Sequence, residues 1–428
     1  MESKEVLERC EYFLPRKSRK CRMLVKKGQK YCGEHAGAER NRIPCPLDPK
    51  HTVDEDELQT HLAKCNSRLN TDLAYVRRDV NGRGEEGEAM EHETTAFSLA
   101  QLTETELNAV VGKVNKVWSE LGVHVNEAYL DHGTMKGAVE SETYGANSKR
   151  HLRQQSSILG HVDRLGLLEL ATKESVCFVE FGAGRAKLSY WLAKAVDEAV
   201  RTKTCHSSDS VSTPARAHTV SYLLIERSGQ RYKFENKIAP TESTVVPDSS
   251  SSRISCQFHR IRCSIEHVDL RLVECIQRSA SCVAFCKHLC GSGTDAALRS
   301  LVNATDRNTP SNDISPVRLS TAVLAPCCHH RCVWRSFVGQ KTLSRLGLTE
   351  FEFKVLTSMS SWATCGLGAE DGDTTGRKAI GKKCKLLIDY ARAKYLEETG
   401  RFEVRLCYYV PEEVTPENLL IVVTGKSA

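Results

Sequence analysis

Two groups of cysteine and histidine residues near the start of the chain have the types and spacing to hold metal ions. Cys10, Cys21, Cys32 and His35 follow a C-x10-C-x10-C-x2-H pattern, and Cys45, His51, His61 and Cys65 follow C-x5-H-x9-H-x3-C. A structural zinc ion takes four nitrogen or sulfur ligands in a tetrahedron, and each group supplies four. Segments this short bury too little apolar surface to fold alone, so a bound metal would supply the missing stability. The spacing therefore predicts two zinc modules, over 1–40 and 41–70. In the second, a helix starting at Glu55 would place His61 and Cys65, four residues apart, on one face. The first also carries Arg16, Lys17, Arg19, Lys20, Arg22, Lys26, Lys27 and Lys30 between its ligands, with Tyr12, Phe13 and Tyr31 beside them. Such cations neutralise phosphates, and such rings stack on bases.

A second kind of site begins at Val176-Cys-Phe-Val-Glu180, a strand-like run that leads into Phe181-Gly182-Ala183-Gly184 and a helix from Ala186. Glycines let the backbone approach a ligand closely, and the amides at a helix start face it. Lys187 stands where a dinucleotide fingerprint requires its third glycine, which argues against NAD or FAD. A second strand, Ser221–Glu226, ends in an acid suited to accept from both hydroxyls of a ribose. Asp269, beyond an apolar run near Ile261–Ile265, is read as an acceptor for an adenine amino group. Glu180, Gly182, Gly184, Glu226 and Asp269 together suit S-adenosylmethionine.

Methyl transfer from a sulfonium requires chiefly an in-line nucleophile held close in a dry site. A ribose hydroxyl is unactivated, so a base helps to remove its proton. Candidates to orient or deprotonate a substrate are Lys287 and His288, in Cys286-Lys-His-Leu-Cys-Gly291, and His329 and His330, in Pro326-Cys-Cys-His-His-Arg-Cys332. Both segments follow strand-like runs, where ligands of open α/β sheets bind. Adjacent residues rarely all ligate one ion, which speaks against a third metal site here.

The elements needed to position these groups are legible as alternating patterns. Leu107, Val110, Val111, Val114, Val117 and Leu121 recur at helical spacing within Glu104–Leu121, and a second helix is expected over Lys149–Leu168. Apolar runs at Val176–Glu180, Ser221–Glu226, Cys282–Lys287 and Thr321–Ala325, with helix-compatible segments between them, indicate a parallel α/β sheet. A helix from Arg377 to Glu398 then leads into Phe402–Val410 and Leu419–Val423, expected as an antiparallel edge hairpin. That helix carries Arg377, Lys378, Lys382, Lys383, Lys385, Arg392 and Lys394, a run read first as a solvated face and otherwise as a phosphate-binding track. The folded domain is expected over 102–428, after a linker at 71–101 whose 82–95 stretch is acidic and Gly-rich. Ser/Thr/Pro/Asp-rich stretches at 201–218, 240–253 and 304–318 are expected as surface loops.

The chain has 428 residues, 40% hydrophobic and 27% charged, with a formal net charge of +6. That composition suits a folded protein of two or three units and permits a nucleic-acid partner without requiring one. The N-terminus lacks the apolar region of a secretory signal, and no run is long enough to cross a bilayer. The expected location is the cytoplasm or nucleus, where the 19 cysteines serve as metal ligands or buried thiols rather than disulfides.

The order of these features resembles the eukaryotic tRNA 2′-O-methyltransferase family that modifies nucleotide 4 of the acceptor stem. The resemblance rests on Cys45…His51…His61…Cys65, Glu180-Phe-Gly-Ala-Gly-Arg185, Cys286-Lys-His-Leu-Cys-Gly291 and Ala325-Pro-Cys-Cys-His-His330. It extends to Gly381-Lys-Lys-Cys-Lys-Leu-Leu-Ile-Asp-Tyr-Ala-Arg392. It implies a Rossmann-like class I methyltransferase domain behind a CCCH and a CHHC zinc finger. It further implies S-adenosylmethionine and zinc as cofactors, tRNA as partner with no membrane, and 2′-O-methylation of cytidine or adenosine.

Overall fold

The computed structural model describes residues 8–14, 19–25, 28–33, 35, 42–65, 68, 71–82, 97–206, 218–238, 254–306, 315–364 and 374–426. Most of the acidic stretch, the centres of the three polar insertions, and Arg16, Lys17, Lys26 and Lys27 lie outside the described residues. The chain forms two units, Met1–Arg68 and Leu69–Ala428.

In the first unit, two small antiparallel sheets accompany the two ligand groups. Phe13–Leu14 pairs with Arg19–Lys20, and Arg42–Cys45 pairs with Asp48–Asp54. A 3-10 turn at Glu55–Glu57 leads into the helix Leu58–Lys64, which carries His61 and ends at Cys65. Among the described residues, the buried side chains around the first group are its own cysteines, with Leu14 and Val25 packed against them.

The second unit is built on an eight-stranded mixed sheet. Its main strands are β1 (Val176–Phe181), β2 (His218–Ile225), β3 (Ile254–Ile261), β4 (Ser281–Cys290), β5 (Leu319–Cys327), β6 (Phe402–Tyr408) and β7 (Leu419–Gly425). They lie in the order β6-β7-β5-β4-β1-β2-β3, with the short strand Asn126–Glu127 beyond β6. From β5 to β3 all neighbours are parallel, whereas β7 runs antiparallel to both β5 and β6. The C-terminal hairpin is therefore inserted beside β5 as a closing edge. This is the doubly wound α/β plan, with the order reversing at β1 and β4.

Every residue of β1 is buried, as a strand covered on both faces requires. Val176 and Phe178 face one layer, with Leu152, Ile158, Leu188 and Leu192, while Cys177, Val179 and Phe181 face the other, with Leu298 and Leu301. The first layer holds helices α2 (Ala146–Arg164) and α3 (Lys187–His206), and the second holds α4 (Ser292–Ala304). A separate helical layer joins α1 (Glu104–Leu121), α5 (Glu350–Ser360) and α6 (Thr374–Glu397) around Val114, Phe353 and Leu387. Helix α1 starts at a Thr103/Glu106 capping box and stops at Gly122, whose left-handed φ of 54° ends the turn.

Three expectations are corrected. The third strand is Ile254–Ile261, not the run near Ile261–Ile265, which forms a 3-10 turn at Ile265–His267. As an edge strand, β3 keeps Ser255, Gln257 and His259 in its sequence, so no apolar run marks it. Part of the expected linker belongs to the fold: Val76 bridges Val268, and the Asn81 side-chain amide donates to the carbonyls of Ile265 and Val268. The basic run on α6 is mostly occupied by partners. Lys378 and Lys382 meet Glu412, Lys385 meets Glu417, Lys383 donates to Asn115, and Arg392 is fully buried.

Arg392 spans three elements. It donates to Asp295 on α4 at 2.7 Å, to Asp389 on its own helix at 3.0 Å, and to the Gly291 carbonyl after β4 at 3.2 Å. Removing one partner of a buried ion pair strands the others, at about 3–5 kcal/mol. Arg392→Ala is expected to lower unfolding stability by about that amount, read from the urea midpoint; an unchanged midpoint would contradict it.

Candidate active site and metal centres

The two zinc groups close up as their spacing requires. In the first, His35 Nδ1 lies 3.4 Å from Cys10 Sγ and 3.3 Å from Cys32 Sγ, and Cys21 Sγ lies 4.0 Å from Cys32 Sγ. In the second, His51 and His61 Nε2 atoms are 3.1 Å apart, and Cys45 and Cys65 sulfurs 3.8 Å apart. A zinc tetrahedron with its usual bond lengths has edges of about 3.3–3.8 Å. Both donor sets thus fit zinc, with ring nitrogens and thiolates as the ligands. Tyr12 stacks on His35 at 4.0 Å, fixing the plane of that imidazole.

At the carboxyl end of β1, Gly182 and Gly184 have φ values of 63° and 49°. A side chain on Gly182 would meet Leu289 at 3.0 Å, while the space in front of Gly184 is open. The Gly184 N–H donates to Glu226 Oε2 at 3.0 Å, and the Ser228 N–H donates to Oε1 at 2.8 Å. Each carboxylate oxygen keeps a lone pair, so Glu226 holds the turn and can still accept from ribose hydroxyls. Arg260 on β3 donates to the Gly184 carbonyl and pairs with Glu235, which braces the turn from the next loop.

Glu180 lies deeper than a ligand contact. Its carboxylate is buried and accepts from both the amide and the hydroxyl of Ser189, tying β1 to the first turn of α3. Burial pushes its pKa up to about 7, against the lowering effect of Ser189. Asp269 is also occupied. Arg271 donates to both of its oxygens, at 2.9 and 2.8 Å, and Arg77 sits 3.3 Å away. The carboxyl edge of β3 carries Arg262, Cys263 and Ser264 instead, so the reading of Asp269 as an adenine acceptor does not fit its surroundings. Its two arginines explain its burial.

Among the four residues singled out for chemistry, the structure separates two pairs. Lys287 and His288 lie at the end of β4, beside β1. Lys287 Nζ is 3.1 Å from His151 Nδ1 on α2, and the His151 and His288 rings pack edge to face at 5.7 Å. Burial, together with the neighbouring Lys187 charge, lowers the Lys287 pKa to about 8. Burial lowers His288 to about 4, and Lys287 and His151 add to the effect; its Nε2 is buried with no hydrogen-bond partner among the described residues. His288 holds a φ of 62°, unusual for a residue with a side chain. No sequence signal marks His151, because its neighbours at helical spacing, Asn147, Ser148, Gln154 and Gln155, are polar as well.

His329 is structural. It is buried, with Nε2 2.7 Å from Asp389 Oδ2 and Nδ1 facing Glu417 at 3.7 Å, and so cannot reach a substrate. His330 is exposed on the same 3-10 turn, His329–Arg331. Around the glycine turn, Arg185 lies over the Tyr232 and Phe234 rings, and Lys187 over Tyr144 and Phe234. Cations and rings so interleaved suit a nucleic acid.

A glycine turn opening onto α3, an acid held against that turn, and a lysine–histidine pair on the adjacent strand are the marks of an S-adenosylmethionine-dependent methyltransferase of the doubly wound class. The sulfonium cofactor, when bound, supplies the electrophilic methyl group. The chain belongs to the TRM13 methyltransferase family, whose model, described as methyltransferase TRM13, matches residues 153–424. A CCCH zinc finger in TRM13 protein matches residues 8–36, and a U11-48K-like CHHC zinc finger matches 42–66. Among relatives, the mouse protein named tRNA:m(4)X modification enzyme TRM13 homolog is 32% identical, over 96% of this chain and 93% of its own. The Saccharomyces cerevisiae tRNA:m(4)X modification enzyme TRM13 is 30% identical, over 97% of this chain and 96% of its own. The resemblance carried by the sequence motifs thus holds at the level of the family.

Gly182→Val would require a β-branched side chain at positive φ and against Leu289. Loss of S-adenosylmethionine binding by calorimetry, with the far-UV spectrum retained, is the expected result. Binding within a few-fold of the parent would mean that the turn is not the cofactor cradle.

Proposed function

We propose that this protein methylates the ribose 2′-hydroxyl of nucleotide 4, a cytidine or adenosine, in the acceptor stem of tRNA. The observation that carries the reading is the convergence of the Gly182–Gly184 turn with Lys287, His151 and His288 at the carboxyl ends of two adjacent parallel strands. A sugar hydroxyl needs a base where a ring nitrogen does not, and a partly neutral buried lysine is one. The relatives' names support tRNA as the substrate. No helix among the described residues is long and apolar enough to cross a membrane, and we place the protein in the cytoplasm or nucleus on the grounds of its substrate.

In this reading Lys287 is the base. Its ammonium is disfavoured by burial and by Lys187, and its neutral amine can donate one N–H to His151 Nδ1 while its lone pair faces the hydroxyl. Burial also lowers the pKa of His151, with Lys287 adding to the effect, so His151 stays neutral and can accept that hydrogen bond. The Glu226 carboxylate orients the donor's ribose, and the aromatic and basic loop around Arg185 and Tyr232 holds the polynucleotide. His288 closes the pocket against water.

The test is to treat a tRNA pool with the protein and methyl-labelled cofactor and map the product. Label on a 2′-O-methylated nucleotide 4 is expected; label on a base, or at another position, would refute the assignment. Single-turnover rates are expected to rise tenfold per pH unit below about 8 and to level off above it, as Lys287 loses its proton. Lys287→Met should abolish that pH dependence and lower the rate by about 10²–10⁴ while leaving cofactor affinity unchanged. A variant that keeps the parental pH profile would remove Lys287 from the base role.

A further inference from the structure

The carboxyl ends of β4 and β5 hold a group of thiols that the reaction does not use. Cys290 and Cys327 are register partners across the parallel pair, with their sulfurs 3.2 Å apart. Cys328 joins them, and the three sulfurs all lie within 4.8 Å of one another. Chain proximity alone did not dictate this: Cys290 comes from one strand and the Cys327–Cys328 pair from another. The backbone is bent to achieve it. Cys328 has a φ of 52°, a left-handed conformation that costs a residue with a side chain about 1 kcal/mol or more. The bend is held by the Cys328 N–H donating to Glu417 and the Gly291 N–H donating to the Cys327 carbonyl. Cys290 is exposed, Cys328 half-buried and Cys327 buried, so the group opens to solvent on one side.

We propose that Cys290, Cys327 and Cys328 form a third metal site, which takes a soft, thiophilic cation such as zinc(II) or copper(I). Three thiolates are the donor set that such ions select over harder ones. Copper(I) is satisfied by three sulfurs, and zinc would complete its tetrahedron with a water on the exposed side. The 3.2 Å between Cys290 and Cys327 is shorter than the 3.8 and 4.0 Å between sulfurs in the two N-terminal groups, so an ion bound here would spread that pair slightly. Arg331, in the turn that follows, offsets the surplus negative charge of three thiolates around a divalent ion. A cation here would staple the end of β4, which carries His288, to the turn after β5, which carries His330. The site follows from adjacency across the sheet and does not depend on the substrate proposed above.

The measurement is the metal content of the full-length protein purified under reducing conditions, by plasma emission spectroscopy and native mass spectrometry. Three ions per chain are expected, falling to two in Cys290→Ser and in Cys328→Ser, with both N-terminal ions kept. A third ion that reads as zinc or as copper supports the site equally and identifies its occupant. Two ions per chain in the parent protein would overturn the proposal. So would a parent mass two hydrogens lower with a Cys290–Cys327 linked peptide, which would make the pair a disulfide. Should the variants fold poorly, cobalt(II) titration of metal-free parent protein gives an independent reading. Thiolate charge-transfer absorbance that saturates at three equivalents supports the site, and saturation at two overturns it.

Discussion

The site depends on one buried guanidinium. Arg392 ties the carbonyl of Gly291, the carboxylate of Asp295 and the carboxylate of Asp389 into a single knot, and Asp389 in turn holds His329. Through those contacts the loop after β4, the start of α4, the middle of α6 and the turn after β5 are fixed together. A charge taken out of water is tolerated only where its partners are complete, so the knot permits few alternative arrangements. Lys287 and His288 sit just before Gly291, on the strand end that this knot holds still. Preorganisation of that kind spares the enzyme from ordering its own side chains during the reaction.

Electrostatic crowding then does the chemical tuning. Lys187 and Lys287 approach one another beside His151 and His288, with Glu180 the buried acid in their field. Like charges and burial act in the same direction on a lysine, and both favour its neutral amine. A cationic rim formed by Arg185 and Lys237 lies beside the Tyr232 and Phe234 rings. Burial lowers the Lys187 pKa, and the charges of Arg185 and Lys237 add to that effect, so the rim and the inner lysines belong to one electrostatic system.

The two units of the chain solve the stability problem differently. The second buries a sheet on both faces and adds a helical layer, with apolar side chains supplying the driving force. Among the described residues of the first, the buried hydrophobic side chains are the ligand cysteines and Val53. Metal coordination is its substitute for a core, and the fold of each finger is inseparable from its ion.

Read alone, the chain determined what depends on local spacing. Ligand residues at fixed separations, a glycine turn after an apolar strand, the Thr103-capped helix and the closing hairpin are each written within a few dozen consecutive residues. Non-local pairing was decided only in three dimensions. Asp269 looks like a ligand acid in one dimension because the two arginines that occupy it are not visible there; one of them, Arg77, lies in a stretch with the composition of a linker. His329 and His330 are chemically alike and adjacent in sequence, yet Asp389, sixty residues away, buries one while the other stays exposed. His151 entered the site, and Cys290 met Cys327, because parallel strands and the helix across them bring distant residues together at one edge. Local pattern records which element a residue joins, and packing decides which residues then share a dielectric environment, a partner or a ligand.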